Sequence, residues 1–347
     1  MHIEVFLGTG GVGKTSVAAA SALRAALNGS RSLVLTIDPA RRLRTALDMK
    51  ADGADQRVPL DPACTGELWA AILDVKASLD RAVYRYASSQ EAKNILAHPV
   101  YHLLITSLAG MQELLAIERI HQAMEDGFES VFIDTAPSRH ALEFLDKPEF
   151  FAHLVSFPIV KLVGRTYQWW VRSGLGRLSR MSFELYSRVE EMLGATLVHQ
   201  ILDFFSIFRK MAEGYAERAE ETLAILRDPK QSSFTIVTTP FKARRDGDYF
   251  WGELQKRKFP VGSMVVNRIW PEPAAGAPAG SSQQVQDLVA WYQDVARSHQ
   301  LVRQEIQSIF GAKIPRLVAL PELPGDMDGL HALYEMVKVM EPARDGK

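Results

Sequence analysis

The run Gly8-Thr9-Gly10-Gly11-Val12-Gly13-Lys14-Thr15-Ser16 sets four glycines beside a lysine and a cluster of hydroxyls. Glycines at such spacing let backbone N–H groups approach phosphate oxygens at a helix N-terminus. Two phosphate-binding patterns fit at once. Gly8, Gly10 and Gly13 match the dinucleotide fingerprint G-x-G-x-x-G, with Asp38 roughly where a ribose-binding acid would sit. Gly8 through Thr15 also match the P-loop pattern G-x-x-x-x-G-K-[ST]. Lys14 and Thr15 favour the second pattern. A pyrophosphate does not need a lysine directly after the last glycine. A triphosphate does, because the ammonium reaches the β- and γ-phosphates and the Thr hydroxyl binds Mg²⁺. Gly10, Gly11, Val12, Gly13, Lys14, Thr15 and Ser16 are the candidate nucleotide-binding residues.

Two carboxylates extend the pattern. VFIDTAPSRH carries β-type residues ending in Asp134. An Asp at the end of a buried strand beside the loop can hold Mg²⁺ together with Thr15 and the phosphates. The same Asp could instead cap the helix that follows. Asp38-Pro39-Ala40 closes another strand-like run. A carboxylate there can orient or deprotonate the water that attacks the γ-phosphorus. It could also cap a helix opened by Pro39, and the two roles are compatible. Asp38 and Lys14 are the candidate catalytic residues; Thr15 and Asp134 are the candidate metal ligands.

These side chains need a parallel sheet to bring them together. Short apolar runs recur between helical patterns: Ile3–Leu7, Ser32–Asp38, Ser130–Asp134, Ser233–Thr239, Val261–Asn267 and Ile314–Leu320. Lys14–Leu27 reads as a helix ended by Asn28-Gly29, and Gln284–Phe310 as a long helix. Such alternation predicts an α/β fold with a doubly wound, mostly parallel sheet. From 147 to 228 helical patterns continue without a convincing strand, and roughly 80 residues is too long for a loop. The expected organisation is a core at 1–146 and 229–347, interrupted by a helical insertion at 147–228. The Pro-, Ala-, Gly- and Ser-rich stretch 271–283 reads as a surface linker.

Composition excludes several classes. Forty Lys+Arg against forty-one Asp+Glu give a net charge of −1, so no nucleic-acid partner is expected. Cys64 is the single cysteine, which rules out an internal disulfide, a CxxC zinc clamp and a three-thiol metalloid site. No apolar run is long enough to span a bilayer, and the start lacks a signal-peptide layout, so a cytoplasmic location is expected.

The loop, LTIDPARRLRTALD, IDTAPSRHALEFL, FTIVTTPFKARRD, VGSMVVNRI and VALPELPGDMDGLHAL, in that order, resemble the ArsA-type ATPases. That group is related to the tail-anchored-protein targeting ATPases and the MinD/ParA proteins. The resemblance covers nearly the whole chain. It implies a P-loop NTPase fold, ATP and Mg²⁺ as ligands, Asp38 as the water-activating carboxylate and Asn267 as the adenine-recognising residue. It also implies two segments, around Asp38 and Asp134, that relay loss of the γ-phosphate. Where the family commonly has a Lys that reaches a dimer partner's nucleotide, this chain has Thr9, and Arg139 replaces a usual Gly. Arg139 or Arg41 could supply the missing charge, or be solvated loop residues. The lone Cys64 argues against arsenite as ligand, and a single P-loop means that any pairing is as a homodimer.

In the targeting branch the helical insertion holds a hydrophobic client segment. Here Leu154, Phe157, Ile159, Leu162, Val163, Leu202, Phe204, Phe205, Ile207 and Phe208 could line such a groove or pack the subdomain's own core. Phe150–Phe183 has no acidic residue but several Arg and Trp, which suits either a membrane-associated or acidic partner or a solvated face. Three functions follow: an Mg²⁺-dependent ATPase driving a conformational cycle, a nucleotide-gated carrier with weak hydrolysis, or a non-hydrolysing nucleotide-dependent regulator.

Overall fold

β-Branched and aromatic runs separated by helices build an eight-stranded sheet in the order β3-β4-β2-β5-β1-β6-β7-β8. The computed structural model describes residues 1–38, 42–49, 55–98, 101, 111–136, 217–272, 276–278, 280–326 and 328–340. The strands are β1 (His2–Leu7), β2 (Arg31–Thr36), β3 (Gln56–Val58), β4 (Glu67–Ile72), β5 (Ser130–Asp134), β6 (Ser232–Thr238), β7 (Val261–Ile269) and β8 (Arg316–Pro321). Every pairing is parallel except that of the short edge strand β3 with β4. This is the doubly wound, mostly parallel α/β fold that the alternation predicts.

The chain divides into two compact units, one of Met1–Leu73, Ala123–Ala141 and Ala224–Lys347, the other of Asp74–Gln122 and Leu142–Leu223. In the first unit, α1 (Lys14–Leu27) covers one face of the sheet. Ala18, Ala19, Ala20, Ala22 and Ala26 are fully buried. Small side chains let the helix lie close to Phe6 and Phe132 on the sheet and to Leu333, Met336 and Val337 of the last described helix. Each fully buried large side chain in such a cluster contributes about 1.5–3 kcal/mol. The same unit holds a short helix α2 (Arg42–Ala46) after β2.

In the second unit, α3 (Val75–Tyr86) starts at Asp74, whose carboxylate accepts from the Ala77 N–H at 2.8 Å. Helix α4 (Ser89–Leu96) starts with a reciprocal Ser88–Glu91 capping box. Helix α5 (Met111–Glu125) leads on to β5. Within this unit the buried Glu118 faces Arg85 at 3.8 Å and Arg218 at 3.6 Å, and residues 217–223 are helical. The remaining helices belong to the first unit: α6 (Ala243–Lys256) after a 3-10 turn at Pro240–Lys242, α7 (Gln283–Phe310) and α8 (Gly329–Met340).

Several sequence expectations shift. Strands β3 and β4 were not anticipated: β3 has only three residues, and the Ala-rich ELWAAI of β4 carries a weak strand signal. β2 ends at Thr36, so Asp38 lies just beyond the strand rather than closing it. The described residues of 271–282 have no helix or strand, and α7 begins at Gln283. The insertion expected at 147–228, its groove residues, Arg41 and Arg139 lie outside the described residues, apart from 217–228. Among the described residues no helix is long and apolar enough to cross a membrane.

Strand register sets up the site. Phe6 of β1 stands level with Asp134 of β5, and Asp134 with Thr36 of β2. One row across three adjacent strands therefore ends at the carboxyl edge, where parallel sheets bind ligands.

Candidate functional site

The Gly8–Gly13 loop leaves the carboxyl end of β1 and runs into the first turn of α1. Gly8 passes so close to β6 that an added Cβ would sit 2.2 Å from the Val237 carbonyl oxygen. Gly13 is the N-cap of α1 at φ 89°, a left-handed conformation. A Cβ there would lie 2.3 Å from Asn267 Nδ2, so the position is closed to any side chain.

Two groups of distant residues hold the loop. Asn267 Nδ2 donates to the Val12 carbonyl at 3.0 Å. Its strand, β7, slips register against β8 between Val266 and Ile269, where Arg268 takes φ 63°, so the chain bends beside the loop. On the other side Thr9 Oγ1 donates to Asp246 Oδ2 at 2.7 Å, and Lys242 Nζ donates to the Gly10 carbonyl at 3.0 Å. Asp246, on the first turn of α6, is 1% exposed. Neither Asp246 nor Lys242 was legible as a site residue, because each lies more than 230 positions from its loop partner. Thr9, noted in the sequence for the lysine it replaces, is here a hydrogen-bond donor to a buried carboxylate.

At the centre, Lys14 and Thr15 are buried in the first turn of α1. Lys14 Nζ donates to the Thr9 carbonyl at 3.3 Å. Burial pushes its pKa down, while the charges of Asp134, Asp38 and Asp246 pull it back up. Thr15 Oγ1 donates to Asp134 Oδ2 at 2.7 Å, and Thr36 Oγ1 donates to the same oxygen at 3.0 Å. Thr36 Oγ1 in turn accepts from the Asp38 N–H at 3.1 Å. Thr135 Oγ1 ties the segment after β5 to the Phe6 carbonyl at 2.7 Å. The structure thus gathers Lys14, Thr15, Asp38 and Asp134 at one point, with Thr36, which the sequence did not single out, linking the Asp134 carboxylate to the Asp38 backbone.

Asp134 is fully buried, and its Oδ1 has no hydrogen-bond partner among the described residues. Burial raises its carboxyl from 3.8 to about 6, against the Thr15 bond, the Lys14 charge and the Thr36 bond. A buried, unengaged carboxylate oxygen beside a Thr hydroxyl is a hard-oxygen pair that fits Mg²⁺ or one of its waters. The pH dependence follows. A metal needs the deprotonated carboxylate, whereas the free protein holds its proton up to about pH 6. Mg²⁺-dependent nucleotide binding is therefore expected to weaken as pH falls through about 6, approaching tenfold per unit below it. Calorimetric titrations at pH 5 and pH 7.5, with Asp134→Asn as the reference for protonation of the nucleotide itself, check this; equal slopes for the two proteins would refute it.

Residues 1–341 match the ArsA ATPase family, described as anion-transporting ATPases. The chain belongs to the ArsA-type ATPase family. ATPase GET3C of Arabidopsis thaliana is 24% identical over 284 residues, covering 76% of this chain and 66% of that protein. ATPase get3 of Schizosaccharomyces pombe is 24% identical over 343 residues, covering 96% and 89%. A putative arsenical pump-driving ATPase of Prosthecochloris vibrioformis is 33% identical over 158 residues, covering 43% and 36%. The chain therefore spans just under two thirds of the length of the first of these relatives and about a third of the last. Family membership favours the P-loop pattern at Gly8–Thr15 over the dinucleotide pattern.

Proposed function

We propose that the chain binds ATP with Mg²⁺ at the Gly8–Ser16 loop and hydrolyses it to ADP and phosphate. The observation that carries this is the convergence of Lys14, Thr15, Asp38 and Asp134, with one oxygen of Asp134 buried and unengaged. The amides from Gly10 to Ser16 cradle the phosphate oxygens. Lys14, released from the Thr9 carbonyl, neutralises charge on the β- and γ-phosphates. Thr15 and Asp134 would hold Mg²⁺, which when bound neutralises phosphate charge and draws the oxygens into line. Asp38 orients the water whose oxygen bonds to the γ-phosphorus as the bond to ADP breaks, and it accepts that water's proton. Asn267 has its Nδ2 spent on the loop. Among the described residues its Oδ1 accepts no hydrogen bond, which suits the donor at adenine N6.

Hydrolysis can reach the rest of the fold through Thr36. Its hydroxyl bonds both Asp134 and the Asp38 backbone, so a shift of Asp134 on loss of the γ-phosphate moves the segment after β2. Pairing, as part of the same proposal, is between two copies of the chain, because each carries one P-loop.

The test is Asp38→Asn. Turnover is expected to fall about 100-fold or more, while Mg²⁺·ATP affinity stays within about threefold, a change below about 0.7 kcal/mol. Unchanged turnover in the variant would remove Asp38 from catalysis. Absence of hydrolysis in the wild type, with nucleotide bound, would make the protein a regulator instead.

A further inference from the structure

The amino ends of the strands, at the opposite edge from the P-loop, carry a second polar cleft in the first unit. It has a volume of about 410 Å³ and lies between the last turns of α1 and the beginnings of β1, β5, β6, β7 and β8. The face of the sheet under α1 changes character along its length. Toward the carboxyl ends it presents Val237, Val265 and Val318, which belong to or pack against the core. Toward the amino ends the same face presents Thr235, Ser263 and Arg316 in the row of Phe6, then Glu4 and Ser233 in the row of Phe132, and then Ser130. A helix-covered sheet face normally continues apolar to its end. Here it turns hydroxylic where the cleft opens.

The polar part toward the amino ends is also ordered as a network. Thr235 Oγ1 donates to Glu4 Oε1 at 2.5 Å and meets Ser263 Oγ at 2.6 Å. Arg316 stands level with Ser263 on β8. Arg24, in the last turns of α1, lines the opposite wall, and His2 the rim. Gly262 keeps the floor low: a Cβ there would come within 2.8 Å of Ser233 Cβ. Burial raises the Glu4 carboxyl above its ordinary value, and the nearby charges of His2, Arg24 and Arg316 act against that. Two guanidiniums and an imidazole thus face one carboxylate across a space large enough for a metabolite.

We propose that this cleft is a binding site for a small molecule that carries a phosphate or carboxylate at one end and a hydroxyl or amino group at the other. The anionic end lies between Arg24 and Arg316, and the donor end reaches Glu4 and the serine hydroxyls. The site is separate from the P-loop and does not depend on the ATPase proposal. Helix α1 nevertheless joins the two, with Lys14 and Thr15 in its first turn and Arg24 in its last turn.

The experiment is ligand-observed NMR with glycerol 2-phosphate and glycerate as separate probes. It is run on the full chain with Mg²⁺·ADP present, so that the P-loop is occupied. Saturable binding of at least one probe is expected, and the identity of that probe distinguishes a phosphate from a carboxylate ligand. Arg316→Ala, at an exposed first position of an edge strand, and Arg24→Ala should each weaken it by about tenfold, the value of one charge-assisted hydrogen bond. Thermal melting and Mg²⁺·ADP affinity of Arg316→Ala should match the wild type. No saturable signal with either probe, or superimposable titrations for wild type and both variants, overturns the proposal.

Discussion

Lys14→Ala is expected to lower Mg²⁺·ATP turnover by about 100- to 1,000-fold, the usual loss when one preorganised charge donor is removed from a phosphoryl-transfer site. Lys14 is 5% exposed and sits in the field of Asp134, Asp38 and Asp246. Its burial makes the effect large. An ammonium held in a low-dielectric pocket interacts with phosphate far more strongly than one in water. The truncation also leaves buried carboxylates without their shared cation, so Asp134 is pushed further toward its protonated form. Binding and chemistry are therefore lost together. Steady-state phosphate release measures the first effect, and titration of Mg²⁺·ATP the second, with circular dichroism confirming the fold. Turnover above a tenth of wild type, a loss of less than about 1.4 kcal/mol, would contradict the assignment.

Asp134→Asn is expected to make the free protein more stable and the enzyme far less active. The folded carboxyl is raised from 3.8 to about 6, so above pH 6 the folded state carries a buried charge that costs about 3 kcal/mol relative to the unfolded chain. The sign is that of a raised acid. Stability is highest below the unfolded value and falls as pH rises through the folded one. An Asn keeps an acceptor for the Thr15 and Thr36 hydroxyls and removes the charge. The melting temperature at pH 7 should rise, with the gain vanishing near pH 4, below which the wild-type carboxyl is neutral in both the folded and the unfolded chain. Mg²⁺ dependence of nucleotide binding should weaken by about 100-fold, because no other carboxylate among the described residues bonds Thr15. Thermal melts across pH and Mg²⁺ titrations at fixed nucleotide measure both. A variant that loses stability at pH 7 while keeping its Mg²⁺ dependence would contradict the role given to Asp134.

The sequence carried those parts of the site whose information is local. A P-loop is a run of adjacent residues, and Lys14, Thr15 and the glycines were readable because their backbone roles are fixed by spacing alone. Asp38 and Asp134 were readable because each follows or ends an apolar run, and parallel strands place such ends on one edge. Thr36 was not singled out because a Thr at a strand end is ordinary by propensity; only the register with Asp134 gives it a task. Asp246 and Lys242 reach the loop from the segment after β6, a proximity that depends on strand order rather than on any motif. Asn267 was assigned to adenine by resemblance, and its brace on Val12 emerged only from the packing of β7 against the loop. Strand β4 was missed because its alanines lack the β-branched signature that marked β1, β2 and β7.

The central claim is that the Gly8–Ser16 loop and its neighbouring carboxylates grip a purine triphosphate in a metal-dependent way. Isothermal titration of the purified chain with ATP, once in excess Mg²⁺ and once in excess EDTA, tests it most directly. The account predicts a saturable heat in Mg²⁺ that is strongly weakened by the chelator. No heat in Mg²⁺, or identical isotherms with and without the metal, would contradict it.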